Sequence, residues 1–195
     1  MDKRLKKKLQ AITNEKDPLK KSLTFLCILT EALKSKDIRP ILVGGRALEF
    51  YTLGGYATKD IDLVVNGRTQ VSAVLEEMGF LKRPGERHWY HEDLDLALEI
   101  PDDFLAGSMD KLTALEIEGK ECYIIGIEDL VVDRLAAAKF WKSTVDAQWA
   151  AKLVALHIDE IDIEYLRQAA VKAEVEDYLE KIWQQSQTYL ADREL

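Results

Sequence analysis

The sequence has no hydrophobic run long enough to cross a membrane. A spanning helix needs about 20 consecutive apolar residues, and no stretch of the 195 approaches that. The opening residues, "MDKRLKKKLQAITNEK", are basic but contain no apolar segment, so they do not read as a secretory signal. Cysteine is scarce. Cys27 and Cys122 are far apart in sequence and each lies in an apolar run, which predicts buried free thiols rather than a disulfide and fits a reducing, cytoplasmic setting. Net positive charge is missing outside the N-terminus. Residues 1–21 hold eight Lys/Arg against three Asp/Glu, yet the whole chain carries −8. An acidic body argues against a general nucleic-acid binder. The basic segment itself places Leu5, Leu9 and Ile12 at helical spacing, so its charges read as the solvated face of an amphipathic helix. No internal repeat and no low-complexity segment interrupts the chain.

What is present is enough apolar material for one ordinary domain, or one with a small appendage: 47% of residues are hydrophobic. Pro18 suits the first turn of a helix that runs to about Lys36. Residues 39–43 read as a buried strand entering Gly44-Gly45. A short helix over 46–53 is stopped by Gly54-Gly55. "DIDLVV" (60–65) reads as a strand and 68–78 as a helix stopped by Gly79. Strict alternation over 93–100 predicts a strand ended by Pro101. "ALEIEGKECYII" predicts a hairpin turning at Glu118-Gly119-Lys120. After Gly126 the pattern becomes helical, with amphipathic stretches over 127–141, 144–156, 159–172 and 174–190. Ser143 and Asp146 form a capping arrangement before the second. An α+β half over 1–125, with N-terminal helices, therefore precedes a C-terminal helical region over 126–195.

The chemistry concentrates in "ILVGGRALEFYTLGGYATKDIDLVV", residues 41–65. A strand that ends in two glycines and opens a helix offers free backbone N–H groups backed by the helix dipole, which suits phosphate. Asp60 and Asp62 are two apart on a strand, so both side chains point to one face. Carboxylates that close repel unless a cation lies between them or water surrounds them. Mg²⁺, or Mn²⁺, is the natural candidate, because it takes one or two carboxylates and completes its shell with water and phosphate oxygens. The alternation itself also fits a plain polar face on a half-exposed strand. A third carboxylate from the 93–100 strand would sharpen the metal reading, and Asp93, Asp95 and Glu99 share its polar face. His88 and His91 are three apart on strand material and point to opposite faces, which argues against zinc. Trp141 and Trp149 read as core residues.

The turn with Gly44, Gly45, Ala47 and Leu48, a short helix, and then Asp60 and Asp62 resemble the signature of the polymerase-β-like nucleotidyltransferase fold. Within it the chain is most similar to the small bacterial members, the minimal nucleotidyltransferases and the abortive-infection toxins. "IEDLVVDRLAAAKF" resembles their following helical segment, with Arg134 where a basic residue often sits and Asp146 matching a later acidic position. Arg46 stands where many members have a small or hydroxyl residue. The resemblance covers about residues 38–150. It implies an α+β fold: a nucleotidyltransferase-type mixed β-sheet flanked by helices, followed by the helical region.

It also implies an enzyme that uses Mg²⁺ or Mn²⁺ to move a nucleoside monophosphate from a nucleoside triphosphate to an acceptor, with release of pyrophosphate. Asp60 and Asp62 would hold the metal. Glu99, favoured by its place near a strand end, or Asp95 would complete the site. Gly44, Gly45, Arg46, Lys59 and Arg134 would hold the nucleotide. The acceptor is left open: a protein, an RNA end or a small alcohol. So is the oligomeric state; no membrane is involved. The competing expectation is a catalytically weak binding module of the same fold, such as one partner of a toxin–antitoxin pair.

Overall fold

The computed structural model describes residues 3–191. The chain forms two compact units. The first comprises the residues up to Leu105 together with Leu112–Ile125; the second comprises Ala106–Lys111 and the chain from Gly126 onward.

The first unit is built on a six-stranded mixed sheet. Its elements are α1 (Lys3–Ile12), α2 (Pro18–Leu33), β1 (Ile41–Val43), α3 (Gly44–Tyr51), β2 (Asp60–Val64), α4 (Arg68–Met78), β3 (Trp89–His91), β4 (Leu96–Glu99), β5 (Thr113–Ile117) and β6 (Lys120–Ile124). The strand order is β3-β4-β2-β1-β6-β5. β1 runs antiparallel to β2 and parallel to β6, while β2 runs parallel to β4. The two outer pairs, β3–β4 and β5–β6, are antiparallel hairpins.

Local chemistry accounts for most of these boundaries. Asp17 caps α2 by accepting hydrogen bonds from the Leu19 and Lys20 N–H groups at 3.0 and 3.1 Å, and Pro18 fills the position where no N–H is needed. Gly79 ends α4 in a left-handed conformation, which lets the Phe80 N–H return to the Leu75 carbonyl at 2.9 Å. The expected 93–100 strand is shorter than its alternation suggested. Residues 92–95 form the turn of the β3–β4 hairpin, with Asp95 at a φ of 50°, so strand geometry begins only at Leu96. A turn sequence that also alternates in polarity carries no signal against strand, and the alternation therefore over-ran the real element.

The buried face of the sheet includes Ile61, Leu63, Leu96 and Leu98, and Phe25, Leu26, Leu29, Leu75 and Phe80 belong to the same core. α2 packs on β6 and α4, and the Phe25 and Phe80 rings meet at 5.0 Å. Each such fully buried side chain contributes roughly 1.5–3 kcal/mol relative to exposure. Burial of Ile61, Leu63 and Leu98 makes the middle of the sheet the rigid part on which neighbouring residues are carried. Cys27 on α2 and Cys122 on β6 are free, buried thiols that hydrogen-bond to each other.

The second unit holds α5 (Ile127–Phe140), α6 (Thr144–Leu156), α7 (Ile163–Lys172) and α8 (Glu176–Ala191). α6 packs on both α5 and α8. Ser143 caps α6, accepting from the Asp146 N–H at 3.2 Å. Two buried carboxylates in the first turn of α5 organise the rest. Asp129 accepts from the Ser108 N–H at 2.8 Å and the Tyr165 hydroxyl at 2.7 Å, and Glu128 accepts from the Asp162 N–H at 2.8 Å. These bonds offset the cost of burying charge. Burial still pushes the Asp129 carboxyl above its ordinary value, and burial beside Asp129 raises the Tyr165 phenol to about 12.

Trp141 departs from the core role expected of it. It ends α5 and is 81% exposed, while Trp149 is half-buried. Helical periodicity stops at Phe140, so the face assigned to Trp141 by spacing does not exist. Among the described residues no helix is long and apolar enough to cross a membrane.

Candidate functional site

The acidic cluster begins with the parallel pairing of β2 and β4. Its register sets Asp60 beside Ala97, Ile61 beside Leu98 and Asp62 beside Glu99. Side chains of paired residues on neighbouring strands share a face. Ile61 and Leu98 are fully buried, so Asp60, Asp62 and Glu99 lie together on the opposite, half-buried face. Two carboxylates come from one strand and the third from its neighbour. The two strands are held by buried residues between the acids.

Asp95 and Asp93 lie elsewhere. The register that pairs Asp60 with Ala97 carries Asp95 past the first residue of β2, into the hairpin turn, where its carboxylate accepts from the Tyr90 hydroxyl at 3.1 Å. Asp93 is exposed in the same turn.

The glycine turn meets the carboxylates directly. β1 pairs with β2 so that Val43 is opposite Asp62, and the chain then turns straight into α3. Gly44 has a φ of 63°, a conformation that L side chains rarely adopt. Any Cβ at Gly44 would overlap the Asp62 carboxylate. Gly45 is closed in from the other side, with Tyr56 and Thr58 packed 3.2–3.3 Å from where its Cβ would sit. Val43 supplies no side-chain cap to α3. Asp62 takes that role from the adjacent strand by accepting the Gly45 N–H. Even so, burial first, and then the charges of Glu99 and Asp60, raise the Asp62 carboxyl above its ordinary value. The face carries more negative charge than its own hydrogen bonds neutralise.

Glu99 is held by two residues that sequence reading left out of the site. Arg87 Nε lies 2.9 Å from one of its oxygens and His88 Nε2 lies 3.2 Å from the other. The β3–β4 register explains the histidine: Trp89 pairs with Leu98, so His88 is the position opposite Glu99. The basic pair before "WYH" was the available signal, but reading it requires the length of the hairpin turn. Arg87 is 77% exposed and Glu99 only 16%, so water reaches the guanidinium side of the pair and screens it.

Arg46 and Lys59, both expected to hold nucleotide, are linked to each other. Arg46 is only 2% exposed; its Nη1 is 2.5 Å from Glu49 and its Nη2 donates to the Lys59 carbonyl at 3.2 Å. Its Nε is buried with no partner among the described residues. The Lys59 side chain is exposed. Arg134 belongs to the second unit, where it bonds to Asp133 and, at 2.8 Å, to Asp146.

Asp60, Asp62 and Glu99 offer only oxygens, which is the chemistry of Mg²⁺ and Mn²⁺; the one nitrogen ligand type nearby, His88, is bonded to Glu99. Among the described residues no three acidic, histidine or cysteine side chains already converge as a closed metal cage. An open face is compatible with Mg²⁺, which leaves much of its shell to water and phosphate.

Comparison with known proteins adds four findings. The model of a family described as "Nucleotidyltransferase of unknown function (DUF6036)" matches residues 24–190. Among solved structures, an antigenic nucleotidyltransferase-like protein from Paracoccidioides brasiliensis superimposes with a TM-score of 0.55 at 16% identity, over 80% of this chain and 87% of that one. The antibiotic-resistance factor ANT(2'')-Ia aligns over 96% of both chains at 15% identity, with a TM-score of 0.44. No curated protein matches the chain. The first structural likeness extends to the fold, an α+β arrangement of mixed sheet and helices.

Proposed function

We propose, since the chain belongs to the DUF6036 family of nucleotidyltransferases of unknown function, that it moves a nucleoside monophosphate from a nucleoside triphosphate to an acceptor hydroxyl. The observation that carries this reading is the register of Asp62 beside Glu99, on the same face as Asp60 and against the Gly44 turn. In the reaction the acceptor oxygen bonds to the α-phosphorus. The bond from that phosphorus to its bridging oxygen breaks, and pyrophosphate leaves with the electron pair.

Each residue has a part set by its position. Asp60 and Asp62, with Glu99, are the ligands for Mg²⁺ or Mn²⁺, which when bound supplies positive charge to the phosphoryl oxygens as bond order shifts. Glu99, on the strand next to Asp62, is the carboxylate assigned to take the acceptor proton. Gly44 keeps the helix start free of side chain, so that phosphate oxygens can approach the backbone. Arg46 acts at one remove: its bond to the Lys59 carbonyl steadies the residue before Asp60.

The test is to incubate the protein with Mg²⁺, a cell extract and nucleoside triphosphates labelled at the α-phosphate. Label is expected on an acceptor, with pyrophosphate rather than inorganic phosphate released. Asp60→Ala is expected to remove the signal. Equal labelling by wild type and Asp60→Ala sinks the mechanism. A binding module of the same fold, acting within a protein pair, is the second reading, and the occupation of Glu99 by Arg87 and His88 favours it. It gains if neither protein labels anything while nucleotide binding persists.

A further inference from the structure

We propose that Arg87 is a polyphosphate-binding residue, parked on Glu99 until a divalent ion claims that carboxylate and then free to grip the substrate phosphates. The inference rests on the reading of Asp60, Asp62 and Glu99 as metal ligands and extends it to a residue outside the acidic set.

The first ground is where Arg87 sits. It precedes β3, next to the position opposite Glu99 in the hairpin, and its side chain is 77% exposed while its Nε reaches a carboxylate only 16% exposed. A long cation that stays largely in solvent while its Nε reaches a mostly buried carboxylate is compensating charge, because the core gains nothing from it. The second ground is exchange. Glu99 cannot keep the guanidinium and serve a divalent ion through the same oxygens. Displaced, Arg87 remains tethered beside Glu99, at the same acidic face. A guanidinium offers several donors in a planar fork that suits phosphate as well as carboxylate. The third ground is charge balance. One divalent ion on the three carboxylates still leaves the face negative, so a polyanion that follows it needs a further cation on its solvent side.

Two affinities measured on the full chain test this by calorimetry. The first is for Mn²⁺ alone, the second for inorganic tripolyphosphate at saturating Mn²⁺. Arg87→Met removes the competitor for Glu99, so Mn²⁺ is expected to bind as tightly as to wild type or more so. Tripolyphosphate is expected to bind at least about tenfold more weakly, the loss of one charge-assisted contact. Unchanged tripolyphosphate affinity overturns the proposal. So does a fall in Mn²⁺ affinity in step with that for tripolyphosphate, since Arg87 would then be a prop for Glu99. Arg87→Lys, which keeps the charge and loses the fork, is expected to recover part of the tripolyphosphate affinity. Failure of the underlying reading looks different: Mn²⁺ then binds Asp60→Ala and wild type alike, or binds neither, and the proposal for Arg87 falls with it.

Discussion

Gly44 and Asp62 are in contact so close that a methyl group on Gly44 would overlap a carboxylate oxygen of Asp62. The glycine is the first residue of a helix, and the aspartate belongs to the strand beside it. Their proximity couples the backbone turn to the acidic face, because neither can shift without moving the other.

Gly44→Ala is therefore expected to be damaging twice over. The left-handed backbone costs an alanine about 1–2 kcal/mol, and the overlap must be relieved by moving Asp62. Gly54→Ala is the control, with a φ of 84° and nothing within 4 Å of the new methyl. Urea denaturation should show Gly44→Ala as the less stable variant. Mn²⁺ titration should show weakened binding for Gly44→Ala alone.

Asp62→Asn is expected to stabilise the metal-free protein near neutral pH. The folded carboxyl is raised above its unfolded value by burial, Glu99 and Asp60. The folded state therefore holds the proton more tightly, and ionisation of Asp62 opposes folding. Below the unfolded value, near 3.8, wild type and variant should be alike. The wild type should then lose ground as pH rises through the raised folded value, and the difference should level off above it. Thermal melts across this range without divalent ions measure it. A variant that is less stable at pH 7 would show that the Gly45 N–H bond outweighs the repulsion.

The buried pair of Arg46 and Glu49 is expected to behave as a unit. Removing one partner leaves an uncompensated buried charge, so Glu49→Leu should cost about 3–5 kcal/mol. Arg46→Met with Glu49→Leu should cost less than Glu49→Leu alone, because two apolar side chains then share the space. A double-mutant cycle in denaturant checks the sign. Additive losses would show that the two side chains act independently.

Glu99→Ala and Asp95→Ala are expected to differ. Glu99 shares its face with Asp62, whereas Asp95 is spent on Tyr90 in the turn. Mn²⁺ affinity should fall about tenfold or more in Glu99→Ala, as for loss of a charged ligand. It should change little in Asp95→Ala. The reverse order would transfer the third ligand to the turn.

How far the sequence determined this protein depends on the range of the forces involved. The helix starts at Pro18 and Thr144, the glycine turn, the strand with Asp60 and Asp62, and the hairpin over 113–124 were legible, because caps, φ preferences and side-chain periodicity act within a few residues. The length of β4, the exposure of Trp141 and the environment of Arg46 were decided by tertiary structure. Asp93 and Asp95 alternate as a strand would, and only the closing of the β3–β4 turn removes them from one. Arg46 reads as a cation for the nucleotide, and its contacts with Glu49 and the Lys59 carbonyl appear only in the fold. His88 and Arg87 join Glu99 because a hairpin register, set by the length of a turn, brings residues eleven and twelve positions apart face to face. Strand pairing and burial are cooperative over the whole unit, so no local pattern encodes them.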